Sequence, residues 1–354
     1  MAQQLNFGLT VSLKEAEDLI LNVRTNRFHV MGEPGVGKSS LLKNIARRTG
    51  MEAAYIDVPN LDLGDIAMPA VNHETRTTSY YPNARFKLHH GKPVAIMLDE
   101  FSKGADPVKN MLHPLFEVVN PRLGDVAVPE GSCIFSTGNM SSDGVGDGLK
   151  AHTKGRMTRV IVRKPTAEEW LRWALDNELA PEVCAFVERN PHVLESYLDG
   201  AKDNPYIFNP RVVQESYVCP RTLELASNIV MRRSHFTSDA LIAALIGTIG
   251  EAGARDLQAF IAFSDQLPTK ESLQNDPDHA IVPTAPGALA VLCYSMINSA
   301  EKDTFSKTMK YVVRLPAEFQ AIFCIGVAKN PKKQAIAFSN VLFAKWAADN
   351  QDLL

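Results

Sequence analysis

The sequence predicts an α/β protein: an open parallel sheet with helices on both faces, followed by an all-helical region and a helical C-terminal extension. Three observations carry this expectation. Short apolar runs, "RFHVM" (27–31), "AAYIDV" (53–58), "VAIML" (94–98) and "SCIFSTGN" (132–139), fit strands buried on both faces. A glycine-rich turn joins the first of them to a helical stretch, giving the strand, turn, helix, strand order of a βαβ unit. After Pro165 strand-like text gives way to helical spacing.

The elements follow in chain order. "SLKEAEDLILNV" (12–23) places Leu13, Ala16, Ile20 and Leu21 near helical spacing with charges between them. "SLLKNIARRTG" reads as a helix closed by Gly50. "NHETRTTSYY" (72–81) reads as a loop, "NARFKLHH" as a helix ending before the 94–98 strand, and "VVNPRLGDVAVPEG" as a short hairpin. "TAEEWLRWALDN" opens with Thr166 and, three residues on, Glu169, the signature of a capping box. Trp170 and Trp173 in that helix are expected in a core. "LPTKESLQNDPDHAIVPTAPG", rich in Pro and Asp, reads as a linker. The expected division is therefore an α/β core over 1–164, a helical domain over 165–267 and a helical extension over 268–354.

Composition narrows the function classes. Of 354 residues, 45% are hydrophobic and 22% charged, the balance of a folded globular chain rather than a disordered one. A formal net charge of −3 draws the protein neither to nucleic acid nor to an anionic membrane. Five scattered cysteines with no Cys-x-x-Cys pair read as buried free thiols of a reducing compartment. We expect no signal peptide and no span of ~20 apolar residues, hence a soluble, cytoplasmic protein. The histidines His89, His90 and His113 lack companions at metal-ligand spacing. "SSDGVGDG" (141–148) lacks the terminal Glu of a calcium loop and reads as a mobile loop.

Chemistry concentrates at "GEPGVGKSS" (32–40). Gly32, Glu33, Pro34, Gly35, Val36, Gly37, Lys38 and Ser39 fill the pattern G-x-x-x-x-G-K-[ST], between a strand and a helix. Glycines let successive backbone N–H groups curl round an anion, and Lys38 would neutralise β- and γ-phosphates. Ser39 would bind Mg²⁺, and the helix from Ser39 through Ser40 onward offers its positive end. "VAIMLDE" delivers Asp99 to the edge of the same sheet, where it can orient the waters around Mg²⁺. Glu100 can polarise an attacking water.

With these residues in this order the chain resembles the AAA+ ATPases, and within them the MoxR-like branch of the CbbQ/NorQ type. The closer resemblance rests on "LDE", a following helix ending in "LFE", and the short hairpin before "STGN". It implies that Asn139 senses the γ-phosphate and water. It also implies an arginine finger, Arg156 in "GRM" or Arg159, that completes a neighbouring subunit's site. Arg221 in "CPRTLELA" takes the place of the second sensor, in a lid. The resemblance further implies ATP and Mg²⁺ as cofactors and a homo-oligomeric ring, expected to be a hexamer. It implies a chaperone-like action on a client or adaptor, such as one with a von Willebrand factor A domain. Tyr80 and Tyr81 would be pore-facing aromatics if the ring grips its partner, or would pack locally. The alternatives are a nucleic-acid motor or loader, against which stands the lack of a basic aromatic tract, and a non-hydrolysing switch, against which stands Glu100.

Overall fold

The computed structural model describes residues 9–140, 149, 151–265 and 267–353, without the side chains of 151 and 152. The chain divides into two compact units, Met1–Lys164 and Pro165–Leu354.

The first unit begins with α1 (Leu13–Asn22), started by a capping box in which Ser12 Oγ accepts from Glu15 N and the Glu15 carboxylate accepts from Ser12 N. Strand β1 (Phe28–Met31) leads through the glycine-rich turn into α2 (Ser40–Thr49), which stops at left-handed Gly50. There follow β2 (Glu52–Asp57), β3 (Ala67–Asn72), β4 (Thr77–Pro82), β5 (Val94–Asp99), α3 (Asp106–Leu112), β6 (Arg122–Leu123) and β7 (Val126–Ala127). The unit closes with β8 (Cys133–Gly138), α4 (Ala151–Lys154) and β9 (Thr158–Ile161).

Five strands form one parallel sheet in the order β2-β5-β8-β1-β9. Side chains alternate across a strand, and β5 shows the result. Its Ile96 and Leu98 join an apolar cluster with Phe101, Leu112 and Phe116, whereas Ala95 and Met97 join another with Ile20, Leu41 and Ile45. Both faces are thus covered, which is why the sequence shows continuous apolar runs here.

Three local readings differ from the structure. Residues 72–81, read as a loop, belong to an antiparallel hairpin over 67–82, with Met68 opposite Tyr81. Thr77, Thr78, Tyr80 and Tyr81 are strand-favouring residues, while the turn uses Arg76 at φ 55° rather than the glycine that would have announced it. "NARFKLHH" forms two 3₁₀ turns, Ala84–Phe86 and Leu88–His90, that bury Phe86 and Leu88. "TRVI", read only as a source of arginines, is β9 at the sheet edge beside β1. The short hairpin expected before the last sensor strand is present as β6 and β7. Its turn grips β4: Tyr80 N donates to the Asp125 carboxylate at 2.7 Å and Asp125 N donates to Tyr80 O at 2.9 Å. Tyr80 and Tyr81 stay exposed.

Among the described residues the second unit is built of helices and irregular segments, with an isolated bridge between Ile207 and Val218. It comprises α5 (Ala167–Asp176), α6 (Pro181–Arg189), α7 (Pro220–Val230), α8 (Ser238–Ser264), α9 (Lys270–Asn275), α10 (Pro286–Asn298), α11 (Phe305–Val312), α12 (Ala317–Lys329), α13 (Gln334–Phe338) and α14 (Val341–Asp349). The capping box of Thr166 and Glu169 starts α5. Trp170 is buried and Trp173 is partly exposed. A single apolar cluster runs from Trp170 to Trp346. The segment read as a linker contains α9, and its Leu273 and Ala280 belong to that cluster, so no break in the core falls at 267.

All five cysteines are buried and free. Among the described residues no helix is long and apolar enough to cross a membrane.

Candidate functional site

The C-terminal ends of β5, β8 and β1, three neighbours in the sheet, carry the residues singled out in the sequence. In an open parallel sheet this edge is where ligands bind.

After β1 the turn from Gly32 to Ser39 depends on its glycines. A Cβ on Gly32 would sit 2.8 Å from the Val162 carbonyl oxygen, and Gly37 has φ 106°, which side chains rarely adopt. Val36 is buried and Pro34 half-buried, so the turn is anchored from within. Glu33 turns inward to an ion pair with Lys164 at 3.0 Å, both side chains almost fully buried. Lys38 folds over the turn: its Nζ donates to Gly32 O at 2.8 Å, Glu33 O at 3.0 Å and Asn139 Oδ1 at 3.2 Å. Ser39, half-buried and helical in backbone, makes no side-chain capping bond at the start of α2, whereas Ser40 Oγ donates to Gly37 O at 2.7 Å. An anion seated here would face the positive start of α2, where Ser40 N and Leu41 N donate back to Gly37 O and Lys38 O.

Asp99 ends β5. Its Oδ2 accepts from the Tyr55 hydroxyl at 2.7 Å and its Oδ1 from the Thr137 hydroxyl. Burial and this bond to Asp99 hold the Tyr55 phenol protonated well above its usual range. Glu100 follows in a left-handed backbone conformation, φ 49° and ψ 38°, uncommon for a residue with a side chain and costing on the order of 1 kcal/mol. Glu100 N donates to Thr137 Oγ1 at 3.1 Å, and its carboxylate pairs with Lys103 at 2.7 Å.

The arginines are carried by other elements. Arg156, in the turn after α4, has an exposed side chain that donates to His113 Nε2 at 2.9 Å and pairs with Glu117 at 3.4 Å. Arg159 is half-buried on β9, opposite His29 in register, with Nη2 3.3 Å from Met31 Sδ. Arg221 belongs to the second unit, exposed in the first turn of α7. The 141–148 segment, read as a loop after the sensor, lies outside the described residues.

Sequence reasoning missed three contributors. Thr137 follows Ser136 in a buried strand, two positions before Asn139, and this polar pair is a signal in the sequence. Tyr55 lies 44 positions from Asp99, and Lys164 carries no local cue of its partner.

The donor set suits a magnesium-bound nucleoside triphosphate: a cationic Nζ resting on neutral oxygens, a hydroxyl at a helix start, and a carboxylate held at the adjoining strand end. Ser39 and Asp99 are the residues that would hold the metal.

No family model matches the sequence, and no curated protein matches it. A crystal structure from Cytophaga hutchinsonii, described as "a putative ATPase", is similar over 89% of this chain and 81% of that one, at 13% identity and a TM-score of 0.31. That likeness is too distant to inform the site.

Proposed function

We propose that this chain is an Mg²⁺-dependent AAA+ ATPase of the MoxR-like, CbbQ/NorQ type, forming a homo-oligomeric ring, a hexamer, that remodels or activates a partner protein in the cytoplasm. One observation supports this above the rest: the phosphate loop, Asn139 and the Asp99–Glu100 pair end three adjacent parallel strands, with Lys38 reaching Asn139 across the gap.

Magnesium would supply charge neutralisation for the phosphate oxygens. The chain's own residues do the rest. Lys38 exchanges its neutral oxygen partners for phosphate oxygens, so its ammonium then faces anionic rather than neutral acceptors. Asn139, freed from Lys38, orients the attacking water. Glu100 accepts that water's proton, which requires its carboxylate to loosen from Lys103. Arg156 is exposed and therefore accessible to a neighbouring subunit, so it is the finger we favour over half-buried Arg159. Arg221 takes the second-sensor role that the resemblance gives it. A partner with a von Willebrand factor A domain is proposed from the same resemblance.

The test is ATP turnover per subunit against protein concentration for the wild type, Glu100→Gln, Arg156→Ala and a mixture of the two variants. Turnover that rises with concentration, is lost in each variant and partly returns in the mixture supports sites shared between subunits. Flat turnover with a fully active Arg156→Ala removes the finger and the ring-dependent mechanism.

A further inference from the structure

The geometry points to Tyr55 as a positioning residue that presets the Asp99 carboxylate for its metal, an inference that rests on the reading of this site as an Mg²⁺–ATP site. Strand β5 is flanked by β2 and β8, and each neighbour contributes one hydroxyl to Asp99. Tyr55 comes from β2 to Oδ2 and Thr137 from β8 to Oδ1. A carboxylate offers about four lone-pair sites, so with one on each oxygen engaged from the flanking strands, the others can face the metal's water shell.

The two hydroxyls are not equivalent. Thr137 is buried and also accepts from Glu100 N, so it fixes the backbone as well as the side chain. Tyr55 stands opposite Met97 in register, two positions short of the Asp57–Asp99 pair, and reaches forward along the strand to Asp99. The residue is 52% exposed and belongs to neither of the buried apolar clusters that cover the sheet. The adjacent Asp57, opposite Asp99, is engaged by Asn60 Nδ2 at 2.7 Å. Tyr55 thus supplies the strand-β2 hydrogen bond that holds one orientation of Asp99 against free rotation of the carboxylate. Partners behind a metal-facing carboxylate typically matter about 10–100-fold in metal affinity.

The experiment titrates Mg²⁺ into the full-length chain with a fluorescent ATP analogue, for the wild type, Tyr55→Phe, Tyr55→Ala and Asp99→Asn, alongside binding in EDTA and thermal midpoints. Tyr55→Phe is expected to raise the half-saturating Mg²⁺ concentration about tenfold, leaving binding in EDTA and the thermal midpoint unchanged. Tyr55→Ala should add nothing further. If Asp99→Asn loses the Mg²⁺ dependence and Tyr55→Phe keeps that of the wild type, the role of Tyr55 is overturned and the nucleotide site stands. A Tyr55→Phe variant weakened equally in EDTA, with a lowered midpoint, shows a structural tyrosine and also overturns it. Absence of Mg²⁺-dependent nucleotide binding in the wild type overturns the site reading and this inference together.

Discussion

The Glu33 carboxylate and the Lys164 ammonium meet at 3.0 Å with only 5% and 3% of their side chains exposed. Glu33 belongs to the glycine-rich turn after β1, and Lys164 follows the strand whose continuation, at Val162, packs against Gly32. Breaking a buried pair strands one charge. Glu33→Met or Lys164→Met should therefore cost about 3–5 kcal/mol, and the two replacements together much less. Urea unfolding of the four chains measures this, and additive losses would show that the pair is not coupled.

Lys38 and Asn139 share a hydrogen bond that nucleotide binding has to exchange. Lys38→Ala is expected to weaken ATP binding about 10–100-fold, the range of a bond to a charged group. Asn139→Ala should bind ATP normally and turn it over more slowly. Asn139→Asp gives Lys38 an anionic partner and should weaken binding; filter binding and steady-state turnover distinguish the three.

Gly32→Ala places a methyl 2.8 Å from the Val162 carbonyl oxygen, a contact that only a backbone shift relieves. Nucleotide affinity is expected to fall while circular dichroism stays near that of the wild type. Unchanged affinity would show that the loop tolerates the shift.

Tyr206 in the second unit donates its hydroxyl to Asp256. That bond, with burial, raises its pKa to about 12. A raised folded-state value stabilises the protonated form: the contribution is complete below the ordinary tyrosine value of about 10 and is lost as pH climbs through 12. The stability difference between the wild type and Tyr206→Phe should hold steady up to about pH 10 and close above it. Denaturant unfolding across that window checks the sign.

Deleting 286–354 removes α10 and α12, whose Val291, Tyr294, Phe319 and Phe323 lie in the cluster that also holds Trp170 and Phe186. The shortened chain should expose apolar surface, bind a hydrophobic dye and aggregate. A soluble, cooperatively folding product would show that α5 to α8 form a separate core.

What the sequence made legible was what local chemistry dictates. The phosphate loop, the Asp99 strand and the Thr166 capping box each follow from residues a few positions apart, and each took its expected place along the chain. Long-range partners were not legible. The Lys164 partner of Glu33, the Tyr55 bond to Asp99 and the packing of Leu273 into the helical core depend on how distant segments are brought together. The 67–82 hairpin was hidden for another reason. It is largely exposed and turned at Arg76, so neither a buried face nor a glycine marks it.

The five buried cysteines have a practical consequence. Burial raises the thiols of Cys133, Cys184, Cys293 and Cys324, the last to about 12, and a buried neutral thiol is a poor nucleophile. The native chain should therefore ignore maleimides. A cysteine introduced at fully exposed Val119 would be the one dye acceptor, a handle placed without removing a single natural thiol. Any further dye uptake would then count molecules that have come open.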